Sequence, residues 1–385
     1  MFSVLRTARK SLGKAVLALS ALALAACQPA SGPAVSQGGA VPVALLVPSG
    51  SGQASDQLLA RSIENAARMA IGDLAGVQID LRVYPTAGQP AQASAAATQA
   101  LADGATVILG PVFAEEANAA GLAVAAAGVN VLSFSNNPAI AGGNVFVLGP
   151  TFDNTARRLA GYAVRSGKSQ VMIIHDRNAQ GEAGRAAIQA GVVAAGGSVV
   201  ATGGYEFSQN GIVQAIPQLA AQAKSSGAQA VFLTADTAGA LPLVTQLLSE
   251  NGVNPATVQY IGLTRWDIPA ATLALPGVQG GVFAMPDPAL FAQYQARYQA
   301  TFGEPPHPVS AIAYDGIAAI GALAKQGSGM DRVSLTQGAG FAGVNGVFRL
   351  LADGTNERGL AVARIQNNAV TVVEPAPRSF GGAGF

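Results

Sequence analysis

The stretch 104–140 constrains the fold more than any other part of the chain. Two short apolar runs, 106–109 and 131–134, flank an alanine-rich segment, 115–127, which begins with two carboxylates. Acidic residues favour the start of a helix, so the pattern predicts a strand, a helix and a second strand. Strands joined by a helix run parallel with a right-handed crossover. Because ligands bind outside the carboxyl ends of parallel strands, this stretch predicts one wall of a binding crevice.

The same alternation continues along the 385 residues and predicts an α/β fold with two domains. The segments 104–109 and 227–233 are similar, and each follows an alanine-rich helix. We therefore predict two Rossmann-like domains with mostly parallel sheets, joined by three hinge crossings, one of them near Gly149 and Pro150. The predicted bounds are 41–149 with 282–345 for the N-terminal lobe, 150–281 with 346–374 for the C-terminal lobe, and 375–385 for a flexible tail.

The N-terminus has the pattern of a lipoprotein signal peptide, predicted at 1–26. Four basic residues precede an apolar run of about 12 residues, too short to span a bilayer. The run ends at Ala26, and the single cysteine of the chain, Cys27, follows. This resembles a bacterial lipobox, so we expect lipidation of Cys27. Residues 27–40 are rich in Pro, Ser, Gly and Ala and predict a flexible tether.

Charge and residue counts exclude several kinds of partner and cofactor. Without the signal peptide the chain has 18 basic and 21 acidic residues, a net charge of −3, which argues against nucleic acid. A lipidated Cys27 leaves no thiol for a disulfide or a metal, and the two histidines lack metal-ligand spacing. We therefore predict no cofactor and no metal.

The sequence matches enzyme motifs only superficially. The segment 338–343 fits GxGxxG but precedes a strand instead of opening a helix, so phosphate-binding geometry is absent. The segment 167–169 resembles the end of a P-loop, but its spacing is wrong and it ends a helix. No nucleophile elbow is present. The chain is therefore predicted not to be an enzyme.

Several short motifs resemble, in their order, the type I periplasmic binding proteins, in particular the Leu/Ile/Val-binding group. They lie at 44–48, 104–111, 131–137, 175–181, 294–306 and 313–316. Three segments, 107–111, 131–136 and 145–149, are more similar to a branch of lipoproteins called penicillin-binding protein activators. The resemblance implies two α/β domains that close on a ligand. The activator branch implies contact with a peptidoglycan synthase.

The resemblance also implies a set of ligand-binding residues. In amino-acid binders of this family, a hydroxyl and backbone N–H groups after the fourth strand hold the ligand carboxylate. Here that region contains Ser133, Ser135, Asn136 and Asn137. The alternative is ordinary turn chemistry, because Ser and Asn side chains bond their own backbone.

The sequence does not decide the roles of four further residues. Gln180 occupies the place where the family often has a tyrosine that covers the ligand. The ligand ammonium normally meets a carboxylate of the second domain, which Asp236 or Asp267 would supply. Asp236 could instead cap the helix that follows it. Trp266 is either a lid over the crevice or an ordinary core ring.

These observations predict a non-enzymatic, lipid-anchored periplasmic binding protein. The first interpretation is an activator that regulates peptidoglycan synthesis by binding a penicillin-binding protein, with an optional small ligand. The alternative is the solute receptor of an ABC amino-acid importer, which would bind a permease. A third is a sensor that presents itself to a membrane kinase. Gln28 after the cysteine favours the inner leaflet of the outer membrane.

Overall fold

The computed structural model describes residues 39–380. The predicted signal peptide, Cys27 and the tether up to residue 38 lie outside these residues. Within the described range, no helix combines the length and the apolar composition needed to cross a membrane.

The first lobe is built on a five-stranded parallel sheet. Its strands are β1 Val41–Val47, β2 Ile79–Pro85, β3 Val107–Leu109, β4 Asn130–Ser133 and β5 Val145–Val147. They lie in the order β2-β1-β3-β4-β5. β1 is a run of buried apolar residues, as expected for a parallel strand covered on both faces. The helices between the strands are α1 Ala54–Asp73, α2 Pro90–Ala102 and α3 Ala114–Val124.

The second lobe repeats this topology and extends it. Its strands are β6 Gln170–Asp176, β7 Ser198–Tyr205, β8 Ala230–Leu233, β9 Gln259–Gly262, β10 Val282–Met285, β14 Ala361–Gln366 and β15 Ala369–Glu374. The part β7-β6-β8-β9-β10 is parallel and matches the first sheet strand for strand, and β14 and β15 add an antiparallel edge. Its helices are α4 Phe152–Arg165, α5 Ala179–Ala194, α6 Gln209–Ser225 and α7 Leu241–Glu250.

The chain then returns to the first lobe through α8 Pro288–Phe302, α9 Ser310–Lys325, α10 Arg332–Leu335 and the small sheet β11 Phe341–Gly343, β12 Gly346–Leu350 and β13 Asn356–Arg358. Apolar residues of α9 and of β12 share one core with β1 and α1. Three crossings therefore join the lobes: between β5 and α4, between β10 and α8, and between β13 and β14.

Three predicted bounds differ from the structure. The predicted bounds place β10 in the first lobe, but it pairs with β9 and β14 of the second sheet. The predicted bounds place β12 in the second lobe, but Phe348 and Leu350 lie in the core of the first lobe. An apolar strand pattern does not show which sheet the strand joins, and this explains both errors. The start of the predicted flexible tail also packs on the fold, since Arg349 lies over the Phe380 ring at 4.6 Å.

Hydrogen bonds tie the first and third crossings together. The side-chain amide of Asn356 donates to the carbonyls of Val147 at 2.7 Å and Gly149 at 2.9 Å. The backbone N–H of Arg358 donates to Asn154 Oδ1 at 2.8 Å. The hinge is thus a connected polar network, and its geometry fixes where the two lobes face each other.

Candidate functional site

A cleft of about 670 Å³ lies between the lobes, at the carboxyl ends of their strands. This volume is in the range of small-molecule sites in proteins, about 300–1,000 Å³. Both lobes and the hinge contribute to its lining, which is mainly apolar. The apolar lining includes Val112, Phe113, Phe134, Phe152, Leu263, Ile268, Met285, Phe291, Val309, Ile312 and Leu360.

The loop after β4 provides the polar part of the first wall. The Ser135 side chain is 6% exposed, and its hydroxyl accepts the N–H of Asn137 at 3.1 Å. That hydroxyl keeps its own proton for a ligand, because the N–H is a donor. Within residues 39–380, no hydrogen bond engages the backbone N–H or the side chain of Asn136, which is exposed at the cleft. The loop therefore presents hydrogen-bond donors to the cleft.

The loop after β9 provides the opposite wall and a positive charge. Arg265 lines the cleft and donates from Nε to Asp267 Oδ1 at 2.7 Å and from Nη2 to Asp267 Oδ2. Such a bidentate pair fixes the plane of the guanidinium. Thr264 also lines the cleft, and its buried hydroxyl oxygen has no partner within the described part of the chain.

The hinge forms the floor of the cleft, where Arg358 is 7% exposed. Its Nη1 donates to Asp315 Oδ2 at 3.0 Å and its Nε to the Leu148 carbonyl at 2.9 Å. Asp315 also accepts from Asn345 Nδ2 at 2.9 Å. Burial raises the pKa of the Asp315 carboxyl, and the contacts with Arg358 and Asn345 oppose that rise.

A family model described as "Periplasmic binding protein" matches residues 40–369. The chain belongs to the periplasmic binding protein family. A search of curated proteins found no match.

Solved structures share the fold of this periplasmic binding protein at low sequence identity. A Rhodospirillum rubrum protein assigned to branched-chain amino acid ABC transport has 18% identity and a TM-score of 0.74, with 87% of this chain and 100% of that one covered. A Desulfitobacterium hafniense substrate-binding protein in complex with Leu has 18% identity, a TM-score of 0.62 and 87% and 100% coverage. A Rhodopseudomonas palustris solute-binding protein in complex with 3,4-dihydroxybenzoic acid has 20% identity, a TM-score of 0.58 and 88% and 96% coverage.

Three of the predicted ligand-binding residues of the periplasmic binding protein line its cleft: Ser135, Asn136 and Asn137. Ser133 is fully buried behind them, where its hydroxyl donates to the Pro111 carbonyl at 3.0 Å and accepts the Ser135 N–H at 3.1 Å. The loop therefore makes hydrogen bonds to its own backbone and also lines the cleft.

The other predicted residues are not part of the lining of the cleft. Gln180 is exposed in the first turn of α5 and is not part of the lining. Trp266 is a core ring, fully buried, so the lid alternative is wrong. Asp236 does not line the cleft and does not cap α7, which begins without a side-chain cap. Both carboxylate oxygens of Asp267 accept hydrogen bonds from Arg265.

Asp236 belongs to a second polar cluster on the same edge of the second sheet of the binding protein. Within the described residues, one oxygen each of Asp176 and Asp236 and the hydroxyl of Tyr205 are buried without a hydrogen-bond partner. Burial raises the pKa of Tyr205, and the two neighbouring carboxylates raise it further. The cluster is separate from the lining of the cleft.

Sequence reasoning missed Arg265 and Arg358 as cleft residues. Arg265 follows a predicted strand at its carboxyl end, so position alone could have marked it. Arg358 comes from a short strand far along the chain, and only the three-dimensional path of the third crossing brings it to the cleft.

Proposed function

We propose that this periplasmic binding protein is the solute receptor of an ABC importer. The observation that supports this most is the cleft between the lobes, which is large enough for a small solute and has both apolar walls and oriented donors. The fold is shared with proteins named as substrate- or solute-binding proteins of ABC transporters. On this proposal, the partner is an ABC permease, and lipidation of Cys27 would hold the receptor at a membrane that faces the periplasm.

The activator of a peptidoglycan synthase, first in the sequence analysis, is the weaker candidate. A regulator that acts through one protein contact does not require a solute cleft between two lobes. The solved structures named above are transport proteins, and their names fit the importer alternative.

We expect at least one small organic solute to stabilise the purified protein strongly. A ligand at about 100 times its Kd adds roughly 2.7 kcal/mol to the free energy of unfolding, because it binds only the folded state. In lobes of this size, that is a rise of several degrees in Tm. The measurement is a thermal unfolding screen with amino acids, carboxylates, sugars and nucleosides at millimolar concentration. A screen in which no solute raises Tm would contradict the importer function.

We expect Ser135→Ala to weaken the binding of a carboxylate solute by about 10–100-fold, because a hydrogen bond to a charged group contributes about 1.5–3 kcal/mol. Calorimetric titration of both forms measures the change. Ser198→Ala is the matched control, since Ser198 is exposed on β7 and outside the cleft. Equal losses in the two variants would show that Ser135 makes no contact with the solute.

A further inference from the structure

The charged residues that line the cleft are all positive. Among the lining residues there are two arginines, Arg265 and Arg358, and none is Asp or Glu. The carboxylates that pair with these arginines, Asp267 and Asp315, are not part of the lining. All three guanidinium nitrogens of Arg358 donate to Asp315 or to the Leu148 carbonyl, so the cleft offers a solute the guanidinium of Arg265 and amide or hydroxyl donors.

We propose that the solute is a small carboxylate with an apolar body and no ammonium group. The inference rests on the importer function proposed above and names the substrate class of that same cleft.

Arg265 is the group that receives the carboxylate. Asp267 occupies its Nε and Nη2, and within residues 39–380 no hydrogen bond engages Nη1. A guanidinium has five N–H donors in a rigid fork, so the Nη1 protons remain for a solute oxygen. The side chain is 27% exposed, which leaves the group accessible from the cleft. Asp267 acts as a positioning residue that holds the fork in place.

The apolar body of the solute fits the walls. Four phenylalanines, Phe113, Phe134, Phe152 and Phe291, line the cleft from both lobes and the returning α8. Rings and branched alkyl groups bury apolar area against such side chains, and this burial is the main driving force for binding an uncharged body.

Within residues 39–380, no carboxylate lines the cleft where an ammonium group would bind. An ammonium group that paired with Asp267 would leave Arg265 without its partner, and one that paired with Asp315 would leave Arg358 without its partner. An unpaired charge is unfavourable in a partly desolvated site. Within the described residues, the buried carboxylate oxygens without hydrogen-bond partners belong to Glu116, Asp176 and Asp236, and none of these residues lines the cleft. A free amino acid would therefore bury an unpaired charge, whereas its deaminated analogue would not.

The test uses pairs of solutes that differ by one group. 3-Phenylpropionate differs from L-phenylalanine, and 4-methylpentanoate from L-leucine, only by the α-ammonium. 3-Phenyl-1-propanol keeps the ring and removes the carboxylate. We expect calorimetric titration of the wild-type protein to give at least tenfold tighter binding for a carboxylate than for its amino acid, a difference of about 1.4 kcal/mol. The alcohol is expected to bind at least tenfold more weakly than 3-phenylpropionate.

Two variants assign the contact. Arg265→Gln should weaken 3-phenylpropionate at least tenfold and leave the alcohol unchanged, whereas Arg185→Gln, on α5 away from the cleft, should change neither. Arg265→Lys retains the charge and replaces Arg265→Gln in this test if the glutamine variant does not fold. Asp236→Asn should leave the affinity for the carboxylates unchanged.

The outcomes distinguish a failure of the inferred solute class from a failure of the importer function on which it rests. If either amino acid binds as tightly as its deaminated analogue, or more tightly, the inference is overturned and the importer function still holds. The same conclusion follows if Asp236→Asn abolishes the binding of an amino acid. Binding of only sugars or nucleosides would also lead to this conclusion. If no solute of the wider screen binds, the inference and the importer function both fail.

Discussion

Replacing Asp315 with alanine is expected to lower the free energy of unfolding by about 3–5 kcal/mol, because the change leaves a buried charge without its partner. The Asp315 side chain is fully buried, and the Arg358 side chain, whose Nη1 lies 3.0 Å from Oδ2 of Asp315, is 4% exposed. Alanine would also remove the acceptor of Asn345. Urea unfolding followed by far-ultraviolet circular dichroism measures the loss.

The control for this prediction is Glu304→Ala. Glu304 pairs with Arg61 at 3.1 Å, but both side chains are partly exposed, 36% and 56%. Water screens such a pair, so its removal is expected to cost less than about 1 kcal/mol. If the two variants lose equal stability, the hinge pair is not the buried, obligate contact that the structure describes.

Replacing Trp266 with alanine is expected to cost about 3–5 kcal/mol, because it opens a large cavity in the second lobe. The ring is fully buried and is held between two glycine backbones. A Cβ added at Gly262 would lie 2.3 Å from the ring, and one at Gly281 would lie 2.4 Å from it. These glycines give the ring its space, so the site is matched to tryptophan.

The control for Trp266 is Phe207→Ala, since Phe207 is an aromatic side chain that is 58% exposed. Its loss should cost less than about 1 kcal/mol. Acrylamide quenching adds a second readout, because Trp266 is the only tryptophan. Efficient quenching in the native protein would contradict the buried position, as would equal stability losses in the two variants.

The fold followed from the sequence to the extent that local pattern determines it. The strand–helix–strand stretch at 104–140 became β3, α3 and β4, adjacent and parallel. The loop after β4 lies at the cleft, because the carboxyl ends of parallel strands share one edge of the sheet. These inferences need only periodicity and the rules of parallel sheets.

The parts that failed depend on long-range placement. Nothing local in β10 shows that it pairs with β9 and not with the first sheet. Trp266 stands between two charged residues, yet its ring turns inward and packs against Gly262 at the end of β9 and Gly281 just before β10. Arg265 and Arg358 become cleft residues only when the lobes face each other. Which side chains share a site is thus decided by tertiary contacts.

The most direct test of the central claim, that the cleft between the lobes holds the solute, is the distance between spin labels at Leu58→Cys and Phe207→Cys. These positions are 43% and 58% exposed, belong to different lobes and lie outside the lining of the cleft. A Cys27→Ser background leaves them as the only cysteines. We expect 3-phenylpropionate to shorten this distance by closing the lobes, and L-phenylalanine to leave it unchanged. An unchanged distance at a concentration where calorimetry shows bound 3-phenylpropionate would contradict the claim.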